Sequence, residues 1–295
     1  MTKEEILNNF QSLTVWKSGD RRAPHKPLLV LLALGYFQNH DQRLLPYKMI
    51  EKELERLLEE FGTPRNAGNT HYPFWRLQND GMWEVENADA LTLNSSGGVR
   101  KTELRNKDIR AGFLPEVYNL LKEQPSLVSQ ICSELLDAHF PDTIHEDIIH
   151  EVGLNLEDEA VTRKPRDPNF RLSVLEAYEH RCAVCDFDVR IGSKTICIEA
   201  AHIKWHSHGG PDDVTNGLAL CTMHHKLFDL GAFTVDDEQQ FLVSEKVIGT
   251  DGFDLWLGRF HGDRISQPVR GVYEPGVDYI AWNRDQVFKS PSRVV

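Results

Sequence analysis

Two short pairs of metal-binding side chains, Cys182-x-x-Cys185 and Cys221-x-x-His224, stand out first in this sequence. Three thiolates and one imidazole suit a tetrahedral zinc ion with no open coordination position, so the ion they imply is structural. Four of the five cysteines crowd between Cys182 and Cys221. An odd, clustered set without a secretory leader speaks for metal ligation over disulfides. Cys197 and Cys132 lie outside the pairs, and both read as small buried apolar residues. Threaded through the same stretch are His202, Asn216, His225 and Asp229. An imidazole titrates near neutrality and can take up or release a proton at physiological pH. His225 and Asp229 are four residues apart and share one face of a helix. A lone histidine is usually a plain polar residue; the order His, Asn, His interleaved with a zinc cage points to chemistry.

Particular elements must hold these groups. Residues 198–203 (IEAAHI) predict a strand that delivers His202. A Gly-Gly-Pro loop follows, then Asn216, a short strand over 218–220, and a helix carrying His225 and Asp229. Upstream, residues 170–180 read as an amphipathic helix that runs into the first cysteines. Downstream, 233–235 and 240–243 are strand-like. The tail from Phe260, rich in Gly, Pro and aromatics, reads as an extended wrap on the same domain.

The run AHIKWHSHGGPDDVTNGLALCTMHHKLFD, with CAVC just upstream, resembles the HNH endonuclease family. The resemblance implies a ββα-metal nuclease fold. It makes His202 the general base, Asn216 its orienting partner and His225 a ligand of the catalytic metal, with His224 completing the zinc cage. Such a set fits phosphodiester hydrolysis, which needs a water deprotonated beside phosphorus and a divalent cation, Mg²⁺ or Mn²⁺, at the phosphoryl oxygens. One position departs from the pattern. Many members carry an Asp before the base histidine as a metal ligand, and here that residue is Ala201. Asp229 or Glu199 must supply the carboxylate; helix geometry favours Asp229.

Residues 1–140 read as a separate, mostly α-helical domain with a small β element, and 141–168 as a linker before the nuclease domain, 169–295; the fold class is α+β. Residues 27–37 (PLLVLLALGYF) predict a buried helix with Pro27 in its first turn. Helical spacing recurs over 47–61, 117–132 and 134–138. Residues 75–85 predict a hairpin turning at Asn79-Asp80-Gly81. The segments DRRAPHKPLLVLLALGYF, HYPFWRLQNDGMWEV and GGVRKTELRNKDIRAGF resemble the sulfur-binding domain of McrA-like type IV restriction endonucleases. That resemblance implies a double-stranded DNA partner whose backbone carries a phosphorothioate. Sulfur is larger and softer than oxygen and a poorer hydrogen-bond acceptor, so an apolar cup favours it. The resemblance places the cup at Tyr72 and Pro73 with His25 nearby, and makes Arg22, Lys26 and Arg100 the DNA contacts. Trp75 and Trp83 read as core. One apolar contact discriminates by only about 1–3 kcal/mol, roughly 10- to 200-fold. Flanking-base readout or a homodimer is therefore expected.

The net charge is −12, unhelpful for binding phosphate. Between residues 142 and 159, however, seven acids stand without one Lys or Arg. Basic clusters remain at Lys17, Arg21, Arg22 and Lys26 and at Arg100, Lys101, Arg105, Lys107 and Arg110. No run of about 18 apolar residues is present, and the amino terminus has no signal-peptide core, so a cytoplasmic location is expected. The composite reading is a modification-dependent restriction endonuclease. Its alternatives are an HNH nuclease that reads another mark, such as methylated cytosine, and a zinc-stabilised DNA-binding protein without catalysis.

Overall fold

The computed structural model describes residues 1–15, 20–63, 68–156 and 168–294. The chain forms two compact units, Met1–Thr162 and Arg163–Val295. Lys17, the acids at 157–159 and the Pro-punctuated run 163–167 lie outside the described residues.

The first unit is mainly helical. α1 (Lys3–Gln11) opens on a capping box, in which the Thr2 hydroxyl accepts from Glu5 N–H and the Glu5 carboxylate accepts from Thr2 N–H. α2 (His25–His40) has Leu28, Leu29, Val30, Leu31 and Leu34 fully covered. A helix apolar on every side must be enclosed on every side. Pro27 sits in its first turn, where a missing N–H costs nothing. β1 (Leu44–Pro46) leads into α3 (Tyr47–Phe61), which buries Ile50, Leu54, Leu57, Leu58 and Phe61 at the spacing the sequence predicts. Then follow α4 (His71–Arg76), β2 (Trp83–Val85), α5 (Lys101–Asn106), β3 (Arg110–Phe113), α6 (Pro115–Glu123), α7 (Ser126–His139) and α8 (His145–Glu151). β3 lies between β1 and β2 in an antiparallel sheet, with Gly112 opposite Leu44 and Phe113 opposite Trp83.

Three expectations change here. Residues 75–85 are not a hairpin: the aromatic run folds into α4 and a 3-10 turn (Leu77–Asp80), closed by Gly81 at φ 71°. Edge-to-face packing of Tyr47 on Phe74, Trp83 on Phe113 and Phe113 on Phe10 outweighs the local turn signal. Trp83 is core, as expected, and its indole N–H donates to Phe74 O. The helix read over 117–132 is two, broken at Gln124-Pro125, because proline cannot donate within a helix. Finally, much of the stretch read as linker is folded. Ile144, Ile148, Val152 and Leu154 are buried, and a Cβ on Gly35 of α2 would fall 1.9 Å from Val152 O. Only glycine lets the chain after α8 pass that close to α2.

The second unit begins with α9 (Pro168–Ala177), followed by a small ribbon, β4 (Arg190–Ile191) and β5 (Lys194–Thr195). β6 (Ile198–His202) pairs antiparallel with β7 (Gly217–Cys221), Ile198 opposite Cys221 and His202 opposite Gly217. α10 (Thr222–Asp229) completes the ββα unit, with β8 (Phe233–Val235) and β9 (Phe241–Val243) behind it. Next come α11 (Asp251–Trp256) and α12 (Val277–Gln286). α12 corrects the extended reading of the tail: Gly276 bounds the helix, and its buried Ile280 and Asn283 dock it on the core. No described helix is long and apolar enough to cross a membrane.

Candidate functional site

The two ligand pairs converge. Cys182 and Cys185 lie in the loop after α9, Cys221 ends β7, and His224 lies in the first turn of α10. One ligand atom from each lies within 4.8 Å of all the others, the one such group among the described residues. His224 Nδ1 is 3.2 Å from Cys221 Sγ and 3.6 Å from Cys182 Sγ, and Cys185 Sγ is 3.9 Å from Cys221 Sγ. His224 Nε2–H donates to Trp256 O at 2.8 Å, which turns the Nδ1 lone pair toward the sulfurs. Phe233, Phe241, Trp256 and Phe260 meet this ring edge-on, with centroids 5.7–6.3 Å away. Hydrogen bonds from Cys185 and Cys221 hold the Cys182 thiol well below its usual range. Burial opposes charge on His224, yet its bonds to Cys182 and Cys221 win and raise its pKa to about 9. Three sulfurs and one imidazole nitrogen gathered this closely are a donor set that fits a cation. The remaining thiols differ. Burial pushes Cys132 up to about 12, as befits an inert core thiol. Cys197 is exposed, contrary to expectation, because its φ of 56° turns the chain just before β6.

His202 ends β6 and is 8% exposed. Phe170 of α9 stacks on its ring at 4.0 Å, and the Asp212 carboxylate lies 2.8 Å from Nε2. The Asn216 amide makes its hydrogen bonds to loop backbone and not to the His202 ring. Its Oδ1 accepts from Lys204 N–H, and its Nδ2 donates to Lys204 O and Pro211 O. Its amide therefore clamps the β6–β7 loop. At Gly210 in this loop, a Cβ would lie 1.9 Å from Lys204 O and 2.8 Å from the Asn216 amide. α12 supports the same loop: Trp282 packs on Trp205, and Asn283 donates to Ile203 O. Sequence reading overlooked Asp212; the only signal was an acid placed just after Gly-Gly-Pro.

His225, on α10, is 5% exposed and flanked by two carboxylates. Glu199 Oε2 lies 2.7 Å from Nδ1, and Asp229 Oδ2 lies 3.3 Å from Nε2. The two approach opposite ring nitrogens, so they do not converge on one point. Asp229 is 3% exposed, whereas the Glu199 side chain is 41% exposed.

The first unit gathers its DNA candidates unevenly. Tyr72 is exposed on α4, and the next residue, Pro73, is buried. Burial lowers the His71 pKa, so a neutral ring lies against Tyr72 at 4.1 Å. His25 begins α2 and is half-buried. Arg22 is buried and donates to Phe61 O, and Lys26 pairs with Asp80. Two of the three cations expected to reach DNA are thus committed inside the fold. Lys101 and Arg105 share the buried Glu51, and Lys107 pairs with Glu103. Arg100, which precedes α5, is exposed and has no ion pair among the described residues. Arg76 was overlooked. It is exposed, one helical turn after Tyr72, with its guanidinium 6.0 Å from that ring.

Comparison with known proteins accords with both halves. The family model described as ScoMcrA-like, DNA sulfur-binding domain, matches residues 3–157, and one described as HNH endonuclease matches residues 182–236. Among solved structures, the sulfur binding domain of ScoMcrA complexed with phosphorothioated DNA is 29% identical. It covers 50% of this chain and 97% of its own, with a TM-score of 0.45. The type IV phosphorothioation-dependent restriction endonuclease ScoMcrA is also 29% identical (52% of this chain, 33% of that one, TM-score 0.44). The modification dependent TagI restriction endonuclease is 24% identical (45% and 40%, TM-score 0.30). The chain thus spans about a third of the full ScoMcrA enzyme. No curated protein matches it.

Proposed function

The chain belongs to the ScoMcrA-like DNA sulfur-binding domain family and joins that domain to an HNH endonuclease domain, and on this premise we propose that it is a restriction endonuclease that binds phosphorothioated double-stranded DNA and hydrolyses its phosphodiester bonds. The observation that carries the reading is the pairing of His202 with a carboxylate, beside a separate histidine–carboxylate pair at His225, in one ββα unit.

His202 is the general base. With Nε2–H donated to Asp212, the neutral ring has its lone pair on Nδ1. That nitrogen takes a proton from water as the water oxygen bonds to phosphorus; the P–O ester bond breaks, and its electron pair leaves on the sugar oxygen. Asn216 keeps the loop that follows His202 in place. His225 Nδ1 and Glu199 would hold the catalytic divalent cation, Mg²⁺ or Mn²⁺. Positions 199 and 201 share one face of β6, because strand side chains alternate. Glu199 therefore brings a carboxylate to the face where Ala201 has none, and its exposed side chain meets His225. Asp229, at the other ring nitrogen, orients the imidazole. When bound, such a cation supplies charge stabilisation at the phosphoryl and leaving oxygens. Cys182, Cys185, Cys221 and His224 would hold a structural Zn²⁺.

In the first unit, Tyr72 offers exposed apolar surface to sulfur next to the buried Pro73, and Arg76 and Arg100 offer charge to the backbone. A single apolar contact is worth about 1–3 kcal/mol, so a homodimer on a doubly modified site sharpens the selection. Sedimentation with such a duplex should show two chains; one chain per duplex refutes the pairing. The function itself is tested with duplex pairs that differ by one sulfur. Preferential binding and Mn²⁺-dependent cutting of the sulfur duplex are expected, with cutting lost in His202→Ala. Equal binding of the two duplexes, or equal cutting by His202→Ala, overturns the reading.

A further inference from the structure

We propose that Asp212 is the positioning residue that sets the tautomer and orientation of His202, a role the order His, Asn, His would give to Asn216. The inference rests on the reading of His202 as the general base. Three observations on the β6–β7 loop carry it. Asp212 Oδ1 lies 2.8 Å from His202 Nε2. Both ends of the Asn216 amide are occupied by loop backbone: Oδ1 by Lys204 N–H, Nδ2 by Lys204 O and Pro211 O. The ring plane is fixed by Phe170, stacked at 4.0 Å and 16°. The stack fixes the plane of the ring but cannot distinguish its two nitrogens; the carboxylate can, because it only accepts.

Chemistry follows from the assignment. A base that must receive a proton on Nδ1 needs its other proton parked on Nε2. Asp212 parks it there and then faces the imidazolium that forms when water gives up its proton. It stays ionised throughout and gains no proton itself. The neighbouring base-rich loop does not substitute for it: His206, the histidine that faces His202, lies with its ring centroid 5.8 Å away and carries no negative charge. Asp213, the next residue, has its carboxylate turned to Thr215 N–H and hydroxyl. The adjacent acids thus divide the work, Asp212 on the base and Asp213 on the loop.

The test uses the full, zinc-loaded chain with ¹⁵N-labelled histidine, the His202 signals being assigned by their loss in His202→Gln. Nitrogen NMR should report His202 with Nε2 protonated and Nδ1 bare. In Asp212→Asn that preference should weaken, and the acidic limb of the cleavage profile should move to lower pH, because the base loses its anionic partner. Cutting should fall roughly ten- to a hundredfold in kcat, with little change in KM for DNA. Asp212→Glu should recover part of the loss, and equal zinc content in all variants shows that the scaffold is intact. His202 carrying its proton on Nδ1 overturns the proposal; so does an Asp212→Asn limb that does not move, whatever the rate. Absence of cutting by the wild-type chain would instead sink the nuclease reading, and the NMR result would still stand by itself.

Discussion

Single side chains in this protein are constrained by what their second polar atom does. His224 points Nδ1 at three thiols because Trp256 O holds its Nε2–H. His225 carries Glu199 on one nitrogen and Asp229 on the other. Those placements separate the two candidate carboxylates, of which helix spacing favoured Asp229. Glu199→Gln should raise the Mn²⁺ concentration for half-maximal cleavage roughly ten- to a hundredfold, with zinc content unchanged, as loss of a ligand on an open site requires. Asn216→Ala removes three hydrogen bonds to the loop, each worth about 1 kcal/mol net, so a melting experiment should show a loss of roughly 2–3 kcal/mol along with reduced activity. In the first unit, Tyr72→Ala should abolish the preference for sulfur over oxygen in paired-duplex competition and leave zinc content untouched.

Elements show which of these constraints the chain can sustain. α10 starts on two of the four clustered ligands, Cys221 and His224, and carries His225 and Asp229 further along. Chelation of a zinc ion held by the four clustered ligands should therefore abolish the cooperative melting of the second unit, read by near-ultraviolet circular dichroism, while α2 and its packed neighbours keep their helical signal. In α7, burial and the nearby Arg22 hold the His139 pKa down at about 4. The unfolded chain titrates this histidine at its ordinary value, near 6.5. Between the two values the unfolded state binds more protons, so stability is full above pH 6.5 and falls as pH drops toward 4. A pH series of chemical denaturation should show that decline, and His139→Gln should flatten it.

For the molecule as a whole, the net charge of −12 conflicts with a DNA partner only until the cations are followed to their partners. Lys26, Lys101, Arg105 and Lys107 are neutralised by acids of the same unit. Arg21, Arg76, Arg100 and Arg110 are exposed and make no ion pair among the described residues. Each of these cations that meets a phosphate steepens the dependence of binding on salt, because that slope counts neutralised phosphates. Arg76→Ala should reduce the slope by about one and weaken binding to modified and plain duplexes alike; an unchanged slope would remove Arg76 from the interface.

Patterns that live within a few residues were legible in the amino-acid order. The two ligand pairs, the strand ending at His202, the helix with His225 and Asp229 four apart, and the apolar run of α2 all follow from local spacing. Their signals are short-range: a knuckle pair, a period of two, a period of 3.6. What the order could not decide is which of several competent side chains meets which. Asp212 rather than Asn216 on His202, Glu199 rather than Asp229 on the open side of His225, and the burial of Arg22 and Lys26 depend on neighbours far along the chain. So do the pairing of Trp83 with Phe113 in place of a local hairpin, and the docking of α12 on the β6–β7 loop. Burial and hydrogen-bond satisfaction are properties of the packed molecule, and only the tertiary structure sets them.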